Sequence, residues 1–326
     1  MKIGIAYDTK EMYDDKDDLY YDFADEVSIS QLDAAFRSLG HETVRIKSFV
    51  ELLEICKGKE RPCDLVYNTM EGISSRNREG FAPSLLEMYR VPFMGTDAFG
   101  LSLTLNKYMT KIVAQYYGIA TPISALVMPS DSPEIVYERI KKVPLPHILK
   151  PNYEGNSSGI VRCISLEESV EKLCRLTKQY HSEILCEEFI FGKEITIPLI
   201  GNDPDKTMWA ITTVDVQKND SFWLDKNWKT IGDYHNIIYD VPDKVNEEIG
   251  YAALTLFRAF GCRDFCRFDF RLSANGSPYF IEANPLPALF EGGSFDIMGR
   301  ANGLEFSETL KIIIDTASER LAIPNT

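Results

Sequence analysis

The sequence predicts an α/β (α+β) protein made of three consecutive α/β domains, the first with a Rossmann-like parallel sheet. Three observations carry this. Length comes first: 326 residues suit two or three domains of ordinary size. Next, residues 1–96 alternate short apolar strands with amphipathic helical stretches, the pattern of βαβ units around a parallel sheet. Finally, from residue 194 onward strand signals dominate, accompanied by two helices, and include a hairpin turn at Asn275-Gly276.

In the first domain, residues 1–96, Lys2–Tyr7 reads as a buried strand and Glu26–Leu39 as an amphipathic helix ended by Gly40. A strand at Thr43–Ile46, a helix near Phe49–Cys56, a strand at Leu65–Tyr67 and a helix at Pro83–Tyr89 complete it. The second domain, residues 97–190, opens with one helix carrying Leu103, Lys107 and Lys111 and ending at Gly118. It continues as a strand into Val127, a helix over Glu134–Lys142, a strand at His147–Lys150, a strand at Ile160–Ile164, a helix over Glu167–Gln179 and a strand at Ile184–Ile190. The third, residues 191–326, has strands at Ile195–Ile200, Trp209–Val216, Phe265–Leu272 and Tyr279–Ala283, with helices at Val245–Phe260 and Phe306–Leu321. The acidic run Tyr13–Asp22 reads as a solvated loop, and Gln217–Asp233, which lacks a clear period, as a mobile one.

Composition narrows the chemistry. Hydrophobic residues make up 44% and charged residues 26%, ordinary for a globular protein with a core. The net charge of −14 argues against nucleic acid or a membrane surface as partner, since both attract positive fields. Seven cysteines without a C-x-x-C pair, and only four histidines, suggest neither a disulfide framework nor a structural zinc site. The apolar start is interrupted at Asp8 and no apolar run is long enough to span a bilayer, so a cytoplasmic protein is expected.

Three segments carry candidate chemistry. In Arg267–Asn284, Asn275-Gly276 signals a hairpin with a two-residue type I′ loop. Pairing Ala274 with Ser277 sets Asp269 opposite Glu282 and Arg267 opposite Asn284. All four then share one face, with Phe268, Phe270, Ile281 and Ala283 on the other. Two opposed carboxylates beside an amide oxygen suit Mg²⁺; the alternative is an exposed polar face where Arg267 and Arg271 pair with the acids. In Lys150–Gly159, a lysine at a strand end precedes a loop of small polar residues able to turn N–H groups and hydroxyls toward a phosphate, the alternative being an ordinary turn. Its spacing is not that of a P-loop. No G-x-G-x-x-G follows the first strand, which disfavours dinucleotide binding there. In Glu187–Glu194, a strand edge followed by acids offers backbone groups to an adenine and carboxylates to ribose hydroxyls, or is simply a solvated turn.

Together these segments resemble the ATP-grasp superfamily, and most closely its D-alanine–D-alanine ligases, in order along nearly the whole chain. Glu26-Val27-Ser28 resembles the family's E-V-S element, and Glu79-Gly80 to Gly95 its D-G…L-L-E…V-P-Y-x-G stretch. Asn106-Lys107 with Lys111 is similar to its M-D-K…K helix, Lys150 to Gly159 to its K-P…E-G-S-S-x-G loop, Glu187 to Glu194 to its E…G-x-E hinge, and Arg267–Asp269 with Glu282–Asn284 to its metal signature. The resemblance implies ATP as a substrate, its phosphates held by Lys107 and Lys150 under a loop of Asn156, Ser157, Ser158 and Gly159, with Glu187 and Glu194 at the adenine and ribose. Asp269, Glu282 and Asn284 would bind two Mg²⁺ ions, Mn²⁺ being an alternative, and Arg267 would stabilise charge on the acyl oxygen. It further implies that a carboxylate takes the γ-phosphoryl group and an amine attacks the acyl phosphate, giving an amide, ADP and phosphate. A homodimer is compatible with it.

The substrate positions depart from the family. The loop before Gly80 holds Arg76 and Arg78 where a histidine and an acid are usual, Asn156 stands in place of a serine, and the run from Pro285 to Ser294 is one residue longer. Glu26 is a candidate for a substrate amino group, Arg78 for a substrate carboxylate and Ser294 for the acceptor carboxylate. The expectation is an amino-acid ligase whose substrates differ from two D-alanines. The alternatives are a D-alanine–D-alanine ligase with a drifted pocket, a biosynthetic ligase joining an amino acid to a non-peptide carboxylic acid, and a nucleotide-binding protein without ligase chemistry.

Overall fold

The computed structural model describes residues 1–13, 23–58, 62–155, 157–217, 219–224, 232 and 234–323. Most of the acidic run, most of the 217–233 segment and Asn156 lie outside the described residues.

The first sheet is parallel, in the order β2-β1-β3-β4, from β1 (Lys2–Ala6), β2 (Glu42–Ile46), β3 (Leu65–Asn68) and the two-residue β4 (Phe93–Met94). It is buried on both sides, as a parallel sheet must be. One side carries Ile3, Ile5 and Tyr7 against α1 (Glu26–Ser38); the other packs Ala6 and Val66 against α2 (Phe49–Lys57) and α3 (Phe81–Met88). Helix α1 starts at Asp25, whose side chain accepts from the Ser28 N–H, and buries Ile29, Leu32 and Phe36 on one stripe.

The expected single helix through Lys107 is two: α4 (Ala98–Leu105) and α5 (Lys107–Tyr116). Asn106 makes the break, because its side-chain oxygen accepts from the Met109 N–H and starts a new helix. Its Oδ1 also accepts from Asn152 Nδ2 at 2.9 Å. The interruption therefore ties Lys107 to the chain just past Lys150. Although α5 lies within the 97–190 block, its Ala114 belongs to the core of the C-terminal sheet.

The middle sheet is antiparallel, in the order β5-β8-β6-β7: β5 (Ser124–Val127), β6 (His147–Pro151), β7 (Val161–Cys163) and β8 (Ile184–Glu188). Its apolar face packs Leu149, Cys163 and Cys186 on α6 (Pro133–Ile140) and α7 (Leu166–Tyr180).

The C-terminal sheet runs β12-β11-β9-β13-β14, with β10 on β9. Its strands are β9 (Gly192–Ile200), β10 (Met208–Trp209), β11 (Thr212–Val214), β12 (Asn236–Ile238), β13 (Phe265–Ser273) and β14 (Pro278–Asn284), so the strand expected at 209–216 is split. Helix α8 (Asp243–Ala259) covers one face through Ile249, Ala253 and Leu256. Two helices follow: α9 (Ser294–Ala301), which the sequence reading missed, and α10 (Phe306–Leu321), which returns to pack Leu310, Ile313 and Ile314 in the same core as α1.

Candidate active site

The hairpin of β13 and β14 brings the charged residues together by a route the sequence did not reveal. Its loop has three residues, not two: the Ser273 N–H bonds the Ser277 carbonyl at 2.9 Å, and Gly276 takes a positive φ of +85°. Phe270 therefore faces Phe280 instead of Ile281. A bulge then adds one residue to β14 before Asp269, so Asp269 still faces Glu282 and Arg267 faces Asn284. Ile281 is the extra residue, and it lines a cavity instead of joining Phe268 and Phe270 in the core.

Asp269 is the hub of this face. Arg267 donates to both its oxygens, from Nε at 3.2 Å and Nη2 at 3.0 Å. Asn284 Nδ2 donates at 3.0 Å and Thr196 of β9 at 3.1 Å. Burial disfavours the Arg267 charge, but Asp269 and Glu282 raise its pKa overall. Arg271 points elsewhere, donating to the carbonyls of Gly192 and Phe222 at 2.8 and 2.9 Å and lying 3.6 Å from Glu194.

Opposite stands the polar face of the middle sheet. Ile148 pairs with Glu187, and Lys150 with Leu185, so Lys150 and Glu187 share a face. Lys150 Nζ is 2.6 Å from Glu187 Oε1, and Lys111 Nζ of α5 is 2.8 Å from Oε2. Two lysines around one carboxylate leave a net positive charge, and all three groups are buried. Burial alone would raise the Glu187 pKa, yet the two lysines hold it below the usual carboxylate value. Burial likewise opposes the charge of Lys150, and Glu187 and Glu282 raise its pKa overall.

Two cavities meet here. The larger, about 600 Å³, lies between the middle and C-terminal sheets and is lined by Lys150, Glu187, Glu194, Ser157, Asp269 and Glu282; its size is that of a small-ligand site. The smaller, about 240 Å³, lies beside the N-terminal sheet and is lined by Asp25, Ser28, Glu71, Glu79, Lys107 and Asn284. Arg267 and Glu282 line both. Lys107 Nζ bonds the Glu154 carbonyl and stands 3.8 Å from Glu282. Phe189 and Trp223 wall the larger cavity, with Arg162 4.4 Å above the Phe189 ring.

The remaining candidates divide. Ser294, the first residue of α9, lines the larger cavity. Of the polar loop, Ser157 reaches it, whereas Ser158 and Gly159 do not. Glu26 lines neither cavity: it accepts from the Tyr7 hydroxyl at 3.0 Å and pairs with Arg45 at 3.1 Å. Arg78 is also absent from both. It lies buried behind the smaller one, 2.8 Å from Glu71, 3.4 Å from Glu79 and 3.8 Å from Glu154. Sequence reasoning gave no role to Glu71, Glu79 or Lys111. The four-residue spacing of Lys107 and Lys111, one helical turn, was the available signal for the last.

A nucleotide-sized cleft between two antiparallel sheets, with the buried Lys150 and Lys111 on one side and paired carboxylates on the other, defines an ATP-grasp ligase. A solved structure of the D-alanine–D-alanine ligase of Bacillus anthracis with ATP has the same fold, with a TM-score of 0.76, 20% identity and 100% of each chain covered. In sequence, the family model described as D-ala D-ala ligase C-terminus matches residues 115–315. The D-alanine–D-alanine ligase of Xanthomonas axonopodis pv. citri is 30% identical over 249 residues, 76% of each chain. That of Pelotomaculum thermopropionicum is 27% identical over 307 residues, 91% of this chain and 94% of the relative. The chain belongs to the D-alanine–D-alanine ligase family and is an ATP-dependent ligase.

Among the described residues no helix is long and apolar enough to cross a membrane. No group of three or more His, Cys, Asp or Glu among them could hold a metal; the set on β13 and β14 has two carboxylates and an amide.

Proposed function

We propose that this ligase joins the carboxylate of one small amino acid to the amine of another, with ATP cleaved to ADP and phosphate. One observation carries the reading: Arg267 and Glu282 line both cavities, so a phosphoryl group leaving a nucleotide in the larger meets a carboxylate in the smaller. Lys150 and Ser157 in the larger cavity, and Lys107 in the smaller, would hold the phosphates on either side of that junction. Positioning and charge neutralisation are what phosphoryl transfer asks of a protein. The carboxylate oxygen attacks the γ-phosphorus as the bond to ADP breaks. The amine then attacks the acyl carbon and phosphate leaves, with Arg267 placed to hold the oxygen on which charge develops.

The residues fit a divalent cation. Asp269 and Glu282 are opposed like charges facing a cavity, an arrangement that weakens a sheet unless compensated, and with the Asn284 amide oxygen they offer the hard donors that Mg²⁺ takes. Asp269, Glu282 and Asn284 would hold two Mg²⁺ ions, or Mn²⁺, which when bound neutralise the polyphosphate.

The substrates are read as other than two D-alanines. Glu26 faces Arg45, and the acids that line the smaller cavity are Asp25, Glu71, Glu79 and the shared Glu282. Release of ADP over a panel of D- and L-amino acids, alone and in pairs, tests both readings, with Asp269→Asn as control. At least one pair is expected to drive release that the control lacks. Turnover with D-alanine alone at ordinary enzymatic rates would refute the substrate reading. An active control would remove the metal assignment.

A further inference from the structure

Lys111 has no part in the chemistry outlined above, yet it is one of the most buried lysines of the protein, with 1% exposure. A lysine that deep is costly unless its three donors are satisfied. Here Nζ has three oxygens around it, one in an ion pair and two as hydrogen-bond acceptors. Nζ lies 2.8 Å from Glu187 Oε2 on β8, 3.1 Å from Thr121 Oγ1 and 3.4 Å from the carbonyl oxygen of Ile281 on β14. Thr121 in turn donates to the Phe280 carbonyl at 2.9 Å. Ile281 is the bulge residue, the one that the register of β13 and β14 passes over. One side chain thus spans the middle sheet and the C-terminal hairpin, and its hairpin contact is the residue next to Glu282.

The charge arrangement gives this strut a purpose. Glu187 is held by two lysines, and only Lys150 of the pair lines the larger cavity. Without Lys111, a buried Glu187 would have Lys150 as its one ion-pair partner, and a phosphate would compete with that carboxylate for a single ammonium group. With Lys111 in place, Glu187 stays neutralised when Lys150 turns its charge to an anion. We propose that Lys111 is a positioning residue of the nucleotide site: it neutralises Glu187 so that Lys150 can serve the phosphates, and it fixes Glu187 to the β14 bulge. This rests on the larger cavity being the ATP site.

The test compares Lys111→Met, which keeps the unbranched stem without the ammonium group, with Lys111→Arg, which keeps the charge. Steady-state ADP release and calorimetric binding of ADP with Mg²⁺ are measured on the full chain. Lys111→Met is expected to raise the KM for ATP and the Kd for ADP on the order of tenfold, the size of coupling within one ion-pair network. The KM for the amino acids should barely move, and Lys111→Arg should recover most of the loss. A second background guards against a mere folding defect: in Glu187→Gln no buried carboxylate competes for Lys150, so adding Lys111→Met should then cost far less. Unchanged ADP affinity in Lys111→Met, equal rises in ATP and amino-acid KM, or the same loss in the Glu187→Gln background would each overturn the proposal. Failure of the ligase reading would look different: the unaltered protein would bind ADP but release none with any amino acid.

Discussion

Asp269 and Glu282 face each other across β13 and β14 although the turn joining those strands is a residue longer than its Asn-Gly sequence suggests. The bulge at Ile281 restores the register that the three-residue loop displaces. Because side chains alternate along a strand, a slip of one would have sent Glu282 into the core. The carboxylate pair is therefore built by two compensating irregularities.

If the pair holds Mg²⁺, Glu282→Gln keeps the shape of the side chain and removes its charge. Ligase turnover should fall on the order of a hundredfold, as when a charge-stabilising group is removed from an active site. The thermal upshift given by ATP with Mg²⁺ should vanish. Without either ligand the variant should melt within a few degrees of the parent. A full ATP–Mg²⁺ upshift in the variant would count against the assignment.

Gly276 takes φ +85° with nothing within 4 Å of where a Cβ would stand. Gly276→Ala thus meets no neighbour and pays only for the left-handed backbone, about 1–2 kcal/mol. A lowered urea midpoint with unchanged kcat is expected. A large drop in kcat would show instead that the turn, and not the bulge, sets the Asp269–Glu282 register.

Glu26 pairs with Arg45 at a half-exposed surface, where an ion pair contributes about 0–1 kcal/mol. Glu26→Ala should leave the amino-acid KM nearly unchanged, whereas Glu79→Gln, in the smaller cavity, should raise it. The opposite ranking in steady-state assays would return Glu26 to the substrate site.

Burial lowers the Lys111 pKa to about 8 from an ordinary value of 10.5, against the opposing pull of Glu187. Below about pH 8 folded and unfolded chains both carry the proton, and the cost of burying it is fully present. Between about 8 and 10.5 the unfolded chain binds more protons, so the contribution of Lys111 to stability rises with pH. The stability of the parent relative to Lys111→Met should therefore increase from pH 7.5 to pH 10 in urea titrations. A flat or falling difference would contradict the direction of the shift.

Six of the seven cysteines are buried and Cys174 is half-buried. Burial also pushes the Cys63 thiol up to about 11 and raises Cys163 and Cys186, which removes thiolate at neutral pH. A thiol reagent should modify Cys174 first in the native protein and all seven residues in urea. Fast native labelling of Cys186, which lies on β8 beside Glu187, would mean that the middle sheet opens.

Most of what lay in the sequence was local. The period of apolar residues marked α1, α7 and α10 and the buried strand β1, because each must hide one stripe or both faces. The identities of Lys150, Asp269, Glu282 and Arg267 pointed to phosphate and metal chemistry, because lysine and arginine neutralise a polyanion and paired carboxylates suit the cation that does the same. Asn106 was visible, but its bond to Asn152 was not, since that depends on a distant strand end arriving beside it. Tertiary structure alone decided that Lys111 reaches Glu187, that Glu26 turns to Arg45, that Arg78 stands behind Glu71 and Glu79, and that a bulge repairs the hairpin register. In the first three cases a long side chain had several partners open to it along the chain. Packing between distant elements, which sequence spacing does not encode, selected one.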